Sequence, residues 1–235
     1  MKKDNNKEEE REMRQMMMNE TEGWGGARLT PRDVEALRWL VEQRAGSLEQ
    51  VGRLLHQLGG EVLTDRRVRQ VVSRWEQMGV ASKWHVWHAE SAVVLPTGQA
   101  ARMFGFTRWR RPGIGILRHT IAVSEIRLRV APIGGARTWT SETDLRRLLP
   151  SHEHLPDGAW TDANGSVAIE VELTPHGRKR VETTIKTLLN AHDGTGLRWA
   201  TVLYLCSPAT HSQVSGVRDE LPPNDRNRVI VRAMP

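Results

Sequence analysis

Apolar residues recur at helical spacing in three successive segments near the start of the chain. Thr30 and Ser47 open the first two segments as helix caps, and the third segment runs from about Thr64 to Met78. Glycines follow each apolar stripe and mark where the helices end. Two short runs of strand-forming residues come next, from Val80 to His88 and from Ser91 to Leu95. The pattern therefore predicts three helices followed by a hairpin.

The third predicted helix has two unlike faces. Its apolar face is formed by Val68, Val71, Val72 and Trp75. The opposite face carries basic and amide side chains, those of Arg66, Arg67, Arg69, Gln70 and Arg74. Three helices and then a hairpin is the element order of a winged helix-turn-helix, whose third helix enters the major groove of DNA. We therefore predict a DNA-binding domain over residues 27–106, with Lys83 of the hairpin as a further contact. The alternative is a solvated basic helix on a domain that does not bind DNA.

The composition changes on either side of this domain. Residues 1–26 are charged and polar, and we expect a disordered tail there. Residues 107–116 form a basic linker rich in proline and glycine, and we expect Arg110 and Arg111 to contact DNA phosphates. Over residues 117–235, a helix is followed by alternating strands and helices. This pattern predicts an α/β domain with a mixed sheet.

The strand predicted at residues 166–174 has one apolar and one acidic face, because side chains alternate along a strand. The acidic face carries Glu170 and Glu172. Asn164-Gly165 is a strong hairpin signal, and a turn at these two residues would pair Asp157 with Glu172. All three carboxylates would then share one face, at separations of about 5–8 Å.

Like charges on one face of a sheet repel, so something must offset them. Oxygen ligands of this kind suit Mg²⁺, and we predict that Asp157 and Glu170 hold it. The alternative is an acidic face that meets water and forms salt bridges with the next helix, which begins with Arg178, Lys179 and Arg180.

The order of helix, strand, hairpin, strand, helix and strand resembles the core of PD-(D/E)xK nucleases. The "PD" dipeptide ends at Asp157, and Glu170 lies 13 residues further on. The resemblance implies that these two residues bind the metal ion, and that Glu125 of the preceding helix supports it.

Glu172 departs from that motif, because it stands where the lysine usually lies. Some restriction endonucleases have E-x-E at this place, so the resemblance still allows catalysis. A lysine of the next helix, Lys179 or Lys186, could supply the missing amine. The expected catalytic set is therefore Asp157, Glu170, Glu172 and Lys179.

The order of segments across both predicted domains is a more specific family signal than the pattern of either domain alone. The segments that carry it are LTPRDVEALRWL, RHTIAVSEIRL, WTSETDLRR, LPDGAW and VAIEVELTPHGRKR. In this order, over about residues 28–205, the chain resembles the replication-relaxation family of plasmids and integrative elements. The resemblance implies a DNA transaction of a mobile element, in replication, relaxation or transfer.

Charge and composition favour the same partner. Of 34 lysines and arginines, 28 are arginine, the net charge is +6, and the isoelectric point is about 10.1. Arginine binds phosphates bidentately, so double-stranded DNA is the expected partner. With Cys206 as the only cysteine, no stretch long enough to span a membrane and no signal-peptide pattern, we expect a cytoplasmic protein.

Two functions fit these observations. The first is a Mg²⁺-dependent DNA endonuclease or nickase, which the intact PD…E pattern favours. The second is a non-catalytic DNA-binding regulator or accessory factor whose nuclease-like domain is structural or dimerising, which the missing lysine favours. Either one could form a homodimer or join partner proteins of a replication or transfer complex.

Overall fold

The computed structural model describes residues 28–149, 154–192, 196 and 198–234. The tail expected at 1–26 therefore lies outside the described residues. The chain divides into two compact units, with the boundary between Leu117 and Arg118. No described helix has both the length and the apolar character needed to cross a membrane.

From residue 28 onward, the first unit contains three main helices, a small sheet and a short closing helix. The helices are α1 (Pro31–Gln43), α2 (Leu48–Gly59), α3 (Asp65–Gln77) and the short α4 (Gly98–Met103). The strands are β1 (Gly46–Ser47), β2 (Ala81–Trp84) and β3 (Val93–Pro96). They form an antiparallel sheet in the order β1-β3-β2.

Local sequence signals explain where the helices of this unit begin. Thr30 and Ser47 each form a full capping box. The cap side chain accepts from the backbone N–H three residues further on, and the side chain of that third residue accepts from the backbone N–H of the cap. The Thr64 side chain caps α3. The apolar faces of α1, α2 and α3 then pack together around Leu37, Leu54 and Trp75, which are fully buried.

The second unit is a mixed α/β fold around a five-stranded sheet. Its helices are α5 (Ile114–Val130), which begins just before the unit boundary, α6 (Glu142–Leu148), α7 (Arg178–Asn190), α8 (Pro208–Asp219) and α9 (Pro223–Arg226). Its strands are β4 (Thr138–Ser141), β5 (Gly158–Asp162), β6 (Gly165–Glu172), β7 (Thr201–Cys206) and β8 (Val229–Ala233). The sheet order is β4-β5-β6-β7-β8, antiparallel up to β6 and parallel beyond it. The predicted α/β class with a mixed sheet is confirmed.

Apolar side chains cover both faces of this sheet. Helices α7 and α8 pack on one face, where Ala168 and Tyr204 lie. Helix α5 packs on the other face, where Ile169 and Val171 contact its apolar residues. The alternation predicted along β6 is therefore confirmed, and Glu170 belongs by its position to the face that carries Ala168.

The predicted pairing of the hairpin between β5 and β6 is wrong by two residues. Asp162 pairs with Gly165 and Ala159 with Ala168, so the turn is Ala163-Asn164. The Asp162 side chain accepts from the Asn164 backbone at 2.8 Å, which fixes a turn one residue earlier than expected. Because the shift is even, every side chain keeps its predicted face.

Candidate functional site

The first candidate surface is the outer face of α3. Val68, Val72 and Trp75 are buried, whereas four side chains of the predicted DNA-contact set are exposed, those of Arg66, Arg67, Arg69 and Gln70. Arg67 donates to the Gln70 side chain at 3.1 Å, which orders part of this surface. A shallow depression of about 430 Å³ follows the same face and is lined by Arg66, Arg69, Gln70, Ser73, Arg74 and Gln77.

Arg74 differs from the other arginines of α3, because it serves an internal ion pair. Its guanidinium contacts the carboxylate of Asp33 at 2.5 Å, and Asp33 is fully buried. Trp75 donates to the other Asp33 oxygen at 3.1 Å. The backbone and the hydroxyl of Thr30 each donate at 2.7 Å to the oxygen that Arg74 contacts. Although it borders the depression, Arg74 therefore ties α3 to α1, and this contact occupies part of its donor capacity.

The remaining predicted DNA contacts of this unit lie near β2. Lys83 forms an ion pair with Glu76 of α3 at 3.6 Å. The Arg111 guanidinium stacks over Trp84, 3.2 Å from the ring centre, and donates to Ser82 at 3.4 Å. Arg110 is exposed. One face of the Trp84 ring is therefore covered by the Arg111 guanidinium.

The second candidate site lies where β5 begins and β6 ends. Asp157 immediately precedes β5, and the hairpin register continued by one residue sets it opposite Glu170. One Asp157 oxygen accepts from the backbone of Val171 at 2.8 Å, which fixes this carboxylate against β6. The side chains of Asp157, Glu170 and Glu172 are only 17, 12 and 14% exposed. Three acidic groups are thus held close together and largely away from water.

Each of these carboxylates has a histidine partner. His119 of α5 contacts Asp157 at 2.8 Å, and His154 from the segment before β5 contacts Glu170 at 3.2 Å. His176 from the segment before α7 contacts Glu172 at 3.4 Å. The three histidines, which were not among the predicted site residues, come from separate elements around the ends of β5 and β6.

The cluster changes the acid–base behaviour of its members. Burial, and then the charge of Asp157, raise the pKa of Glu170 to about 7. The hydrogen bond to Glu170 raises the pKa of His154. Burial opposes the charged form of His119, but the hydrogen bond and the charge of Asp157 outweigh it, so the pKa of His119 is raised as well. Burial raises the pKa of Glu172. Protons shared between imidazoles and carboxylates can therefore offset much of the negative charge.

Tyr204 lies beside this cluster on the neighbouring strand. It is paired with Glu170 in the parallel register of β6 and β7 and is only 1% exposed. Its hydroxyl and one Glu170 oxygen are buried and have no hydrogen-bond partner among the described residues. Burial, and then the charges of Glu170 and its acidic neighbours, raise the pKa of Tyr204 well above its usual value. Tyr204 therefore keeps its proton at neutral pH, next to the acidic cluster.

The donor set does not match the preferences of Mg²⁺, the cation expected from the sequence. Mg²⁺ prefers an octahedron of oxygen ligands and keeps several of its waters. Both oxygens of Asp157 and one of Glu170 already have partners, and the other Glu170 oxygen is buried. Within the described ranges, no group of three or more histidine, cysteine or acidic side chains is placed to hold a metal ion. As arranged, these residues do not fit a hydrated Mg²⁺ ion.

The two other predicted residues of this site lie apart from these contacts. Glu125 forms an ion pair with Arg129, one turn further along α5. It is six residues from His119, which corresponds to about 9 Å along the helix and about 120° around its axis. Lys179 is exposed in the first turn of α7. Asp157, Glu170 and Glu172 therefore lie close together, whereas no described contact joins Glu125 or Lys179 to them.

No family model, no curated protein and no solved structure matches the chain.

Proposed function

We propose that this protein binds double-stranded DNA through its first unit, with α3 as the recognition helix of a winged helix-turn-helix. The observation that carries the proposal is the exposed face of α3, on which Arg66, Arg67, Arg69 and Gln70 project from a helix fixed from behind by Trp75. The order of helices and strands, with the sheet order β1-β3-β2, supports this assignment.

The distribution of charge supports the same partner. Residues 28–117 contain 14 lysines and arginines against 8 aspartates and glutamates, whereas residues 118–235 contain 15 against 13. The net excess of positive charge, +6 against +2, therefore lies mostly in residues 28–117 of the first unit. Such an excess attracts the phosphate backbone and makes affinity fall steeply with salt concentration.

The proposal is tested by measuring the affinity of the full chain for a mixed-sequence duplex over a range of salt concentrations. Arg66→Ala with Arg69→Ala should weaken binding and reduce the salt slope by about one per arginine lost. The matched control is Arg38→Ala with Arg146→Ala, which removes the same charge from two surface ion pairs of α1 and α6. Equal affinities and slopes for the two double variants would rule out α3 as the DNA-contacting helix.

In biological terms, the proposal is a DNA-binding regulator or accessory factor of a plasmid or other mobile element, acting in replication, relaxation or transfer. It rests on the resemblance to the replication-relaxation family together with the basic face of α3. Under this proposal the second unit provides structure or contacts with partner proteins or a second copy of the chain. DNA co-purified with the tagged protein from its host should be enriched in sequences of that element. Enrichment of unrelated chromosomal sequences would contradict this role.

A second candidate function is DNA cleavage at the acidic cluster. It is favoured by one observation, the convergence of Asp157, Glu170 and Glu172 at the ends of β5 and β6. The test is incubation of the full chain with supercoiled plasmid in Mg²⁺, in Mn²⁺ and in EDTA. Nicking that needs a metal ion and disappears in Glu170→Gln would establish cleavage. Intact plasmid under conditions where the chain demonstrably binds DNA would leave the non-catalytic role.

A further inference from the structure

The segment that joins the two units is fixed against the first unit for part of its length. The Trp109 indole donates to the backbone carbonyl of Val41 in α1 at 3.2 Å. Arg111 stacks over Trp84 and donates to Ser82, both in β2. The four residues Arg108–Arg111, which we call the arm, are therefore attached to both α1 and β2.

Two further features of the chain restrict the arm. Pro112 follows the arm and is buried, and proline restricts the backbone of the residue before it. Arg44 ends α1 in a left-handed conformation and donates to the carbonyl of Arg110 at 3.5 Å. The segment predicted from the sequence as a basic linker is therefore restrained at Trp109, Arg111 and Pro112.

The attachment leaves two arginines exposed on a fixed backbone, Arg108 and Arg110. Because the backbone is already ordered, an arginine held in this way loses less conformational entropy when it binds than an arginine on a mobile tether, so each phosphate contact yields more affinity. The arm is also tied to the proposed DNA-binding helix, because β2 contacts α3 through the ion pair between Lys83 and Glu76.

We propose that the arm is a second DNA-contacting surface, in which Arg108 and Arg110 bind backbone phosphates while Trp109 and Arg111 act as positioning residues. The ligand is the phosphodiester backbone, and the contact carries no sequence information of its own. This inference rests on the proposed DNA binding and extends it beyond α3. It also gives Arg111 a role different from the direct phosphate contact expected from the sequence, since its guanidinium lies over the Trp84 ring.

The first test removes the two contacts. Arg108→Ala with Arg110→Ala should bind the mixed-sequence duplex about tenfold more weakly at low salt, with a salt slope smaller by about two. The control remains Arg38→Ala with Arg146→Ala, and thermal unfolding should be unchanged in both. If the wild type binds DNA and the arm variant matches the control, the arm is not a contact and only this inference fails. If the wild type binds no DNA, the proposed function fails with it.

The second test separates positioning from charge. Arg111→Lys keeps the charge but loses the planar stack on Trp84, so it should weaken DNA binding and reduce the salt slope although net charge is unchanged. Added to Arg108→Ala and Arg110→Ala, it should cause little further loss, because the contacts it positions are already gone. Wild-type affinity and slope in Arg111→Lys, or full additivity in the triple variant, would overturn the positioning role.

Discussion

Asp33 shows how a single buried charge organises the first unit. It is fully buried in α1, and its carboxylate accepts hydrogen bonds from Thr30, Arg74 and Trp75. A buried carboxylate is tolerated only when such donors surround it. The same contacts orient α3, because Arg74 and Trp75 are neighbours on that helix. The basic face proposed to bind DNA therefore depends on an acidic residue of another helix.

Replacing Arg74 by alanine should destabilise the first unit by about 2 kcal/mol, since Asp33 loses its charged partner but keeps its other donors. Urea unfolding of the full chain measures this change in the free energy of unfolding. The exposed Arg69→Ala is the control and should stay within about 0.5 kcal/mol of the wild type. A stable Arg74→Ala protein with reduced DNA affinity would instead assign Arg74 chiefly to DNA contact.

Glu170 should make the second unit more stable in mildly acidic solution than in basic solution. Its pKa is raised from 4.5 to about 7 in the folded chain, so the folded state binds more protons than the unfolded state between these values. Stability is therefore lost as pH rises through this window. The raised pKa values of His119 and His154 act in the same direction, since their protonated forms favour the folded state.

The expected loss is on the order of 2 kcal/mol between about pH 5 and pH 8, measured by urea unfolding across that range. Glu170→Gln removes the titrating carboxyl at nearly constant volume and should flatten the profile. Glu182→Gln is a suitable control, because Glu182 lies at the exposed ion pair with Lys186. A profile that keeps its slope in Glu170→Gln would show that other groups of the cluster dominate.

At the scale of elements, β5 depends on a glycine that follows Asp157. A Cβ added to Gly158 would overlap the indole of Trp139 on β4. Trp139 in turn packs with the apolar cluster under α5. We expect Gly158→Ala to displace this indole and to destabilise the second unit by about 1–3 kcal/mol in thermal or urea unfolding.

Gly177→Ala provides the matched control, because an added Cβ meets no atom within 4 Å there and the backbone φ is −59°. Gly177 is the N-cap of α7, where alanine is less favourable than glycine, but the added Cβ also lowers the entropy of the unfolded chain. These effects oppose each other, so stability should change by less than about 1 kcal/mol. If Gly158→Ala were as stable as Gly177→Ala, the packing of Trp139 on Gly158 would not limit the structure of β5.

The helices and strands are also the features of the structure that could best be predicted from the sequence. Helix caps and alternation are local signals, so the helices of the first unit and the two faces of β6 could be predicted. The turn between β5 and β6 could not be placed correctly, because Asn-Gly competed with the Asp162 side chain, which bonds to the Asn164 backbone. The carboxylates still converge as predicted, since the register error was even.

The partners of those carboxylates could not be predicted from local pattern. His119, His154 and His176 come from three different elements, and the contact between His119 and Asp157 joins residues 38 positions apart. The ion pair between Asp33 and Arg74 spans 41 positions. The sequence of α3 alone therefore does not distinguish Arg74 from the four exposed polar residues on the same helix. Such contacts are set by tertiary packing, and isolated histidines or arginines give no sign of them.

At the scale of the whole molecule, the basic residues proposed to bind DNA and the acidic cluster belong to different units. The proposed DNA contacts lie before residue 117, whereas the acidic cluster lies after it. We therefore expect duplex DNA to reduce hydrogen exchange in α3 and in the arm, because a ligand that binds only the folded state stabilises it by mass action. Exchange in β6 and β7 should change least.

Two variants turn this division into a test of the full chain by hydrogen exchange with mass spectrometry. Arg66→Ala with Arg69→Ala should lose the DNA-induced protection of α3, because it removes phosphate contacts without disturbing the buried face. Glu170→Gln should retain that protection, since the substituted residue lies in the other unit. The glutamine carries no charge, so it adds no repulsion of DNA. If Glu170→Gln abolished the protection, or if DNA protected β6 as strongly as α3, the acidic cluster would itself contact DNA. That outcome would favour DNA cleavage over a purely structural second unit.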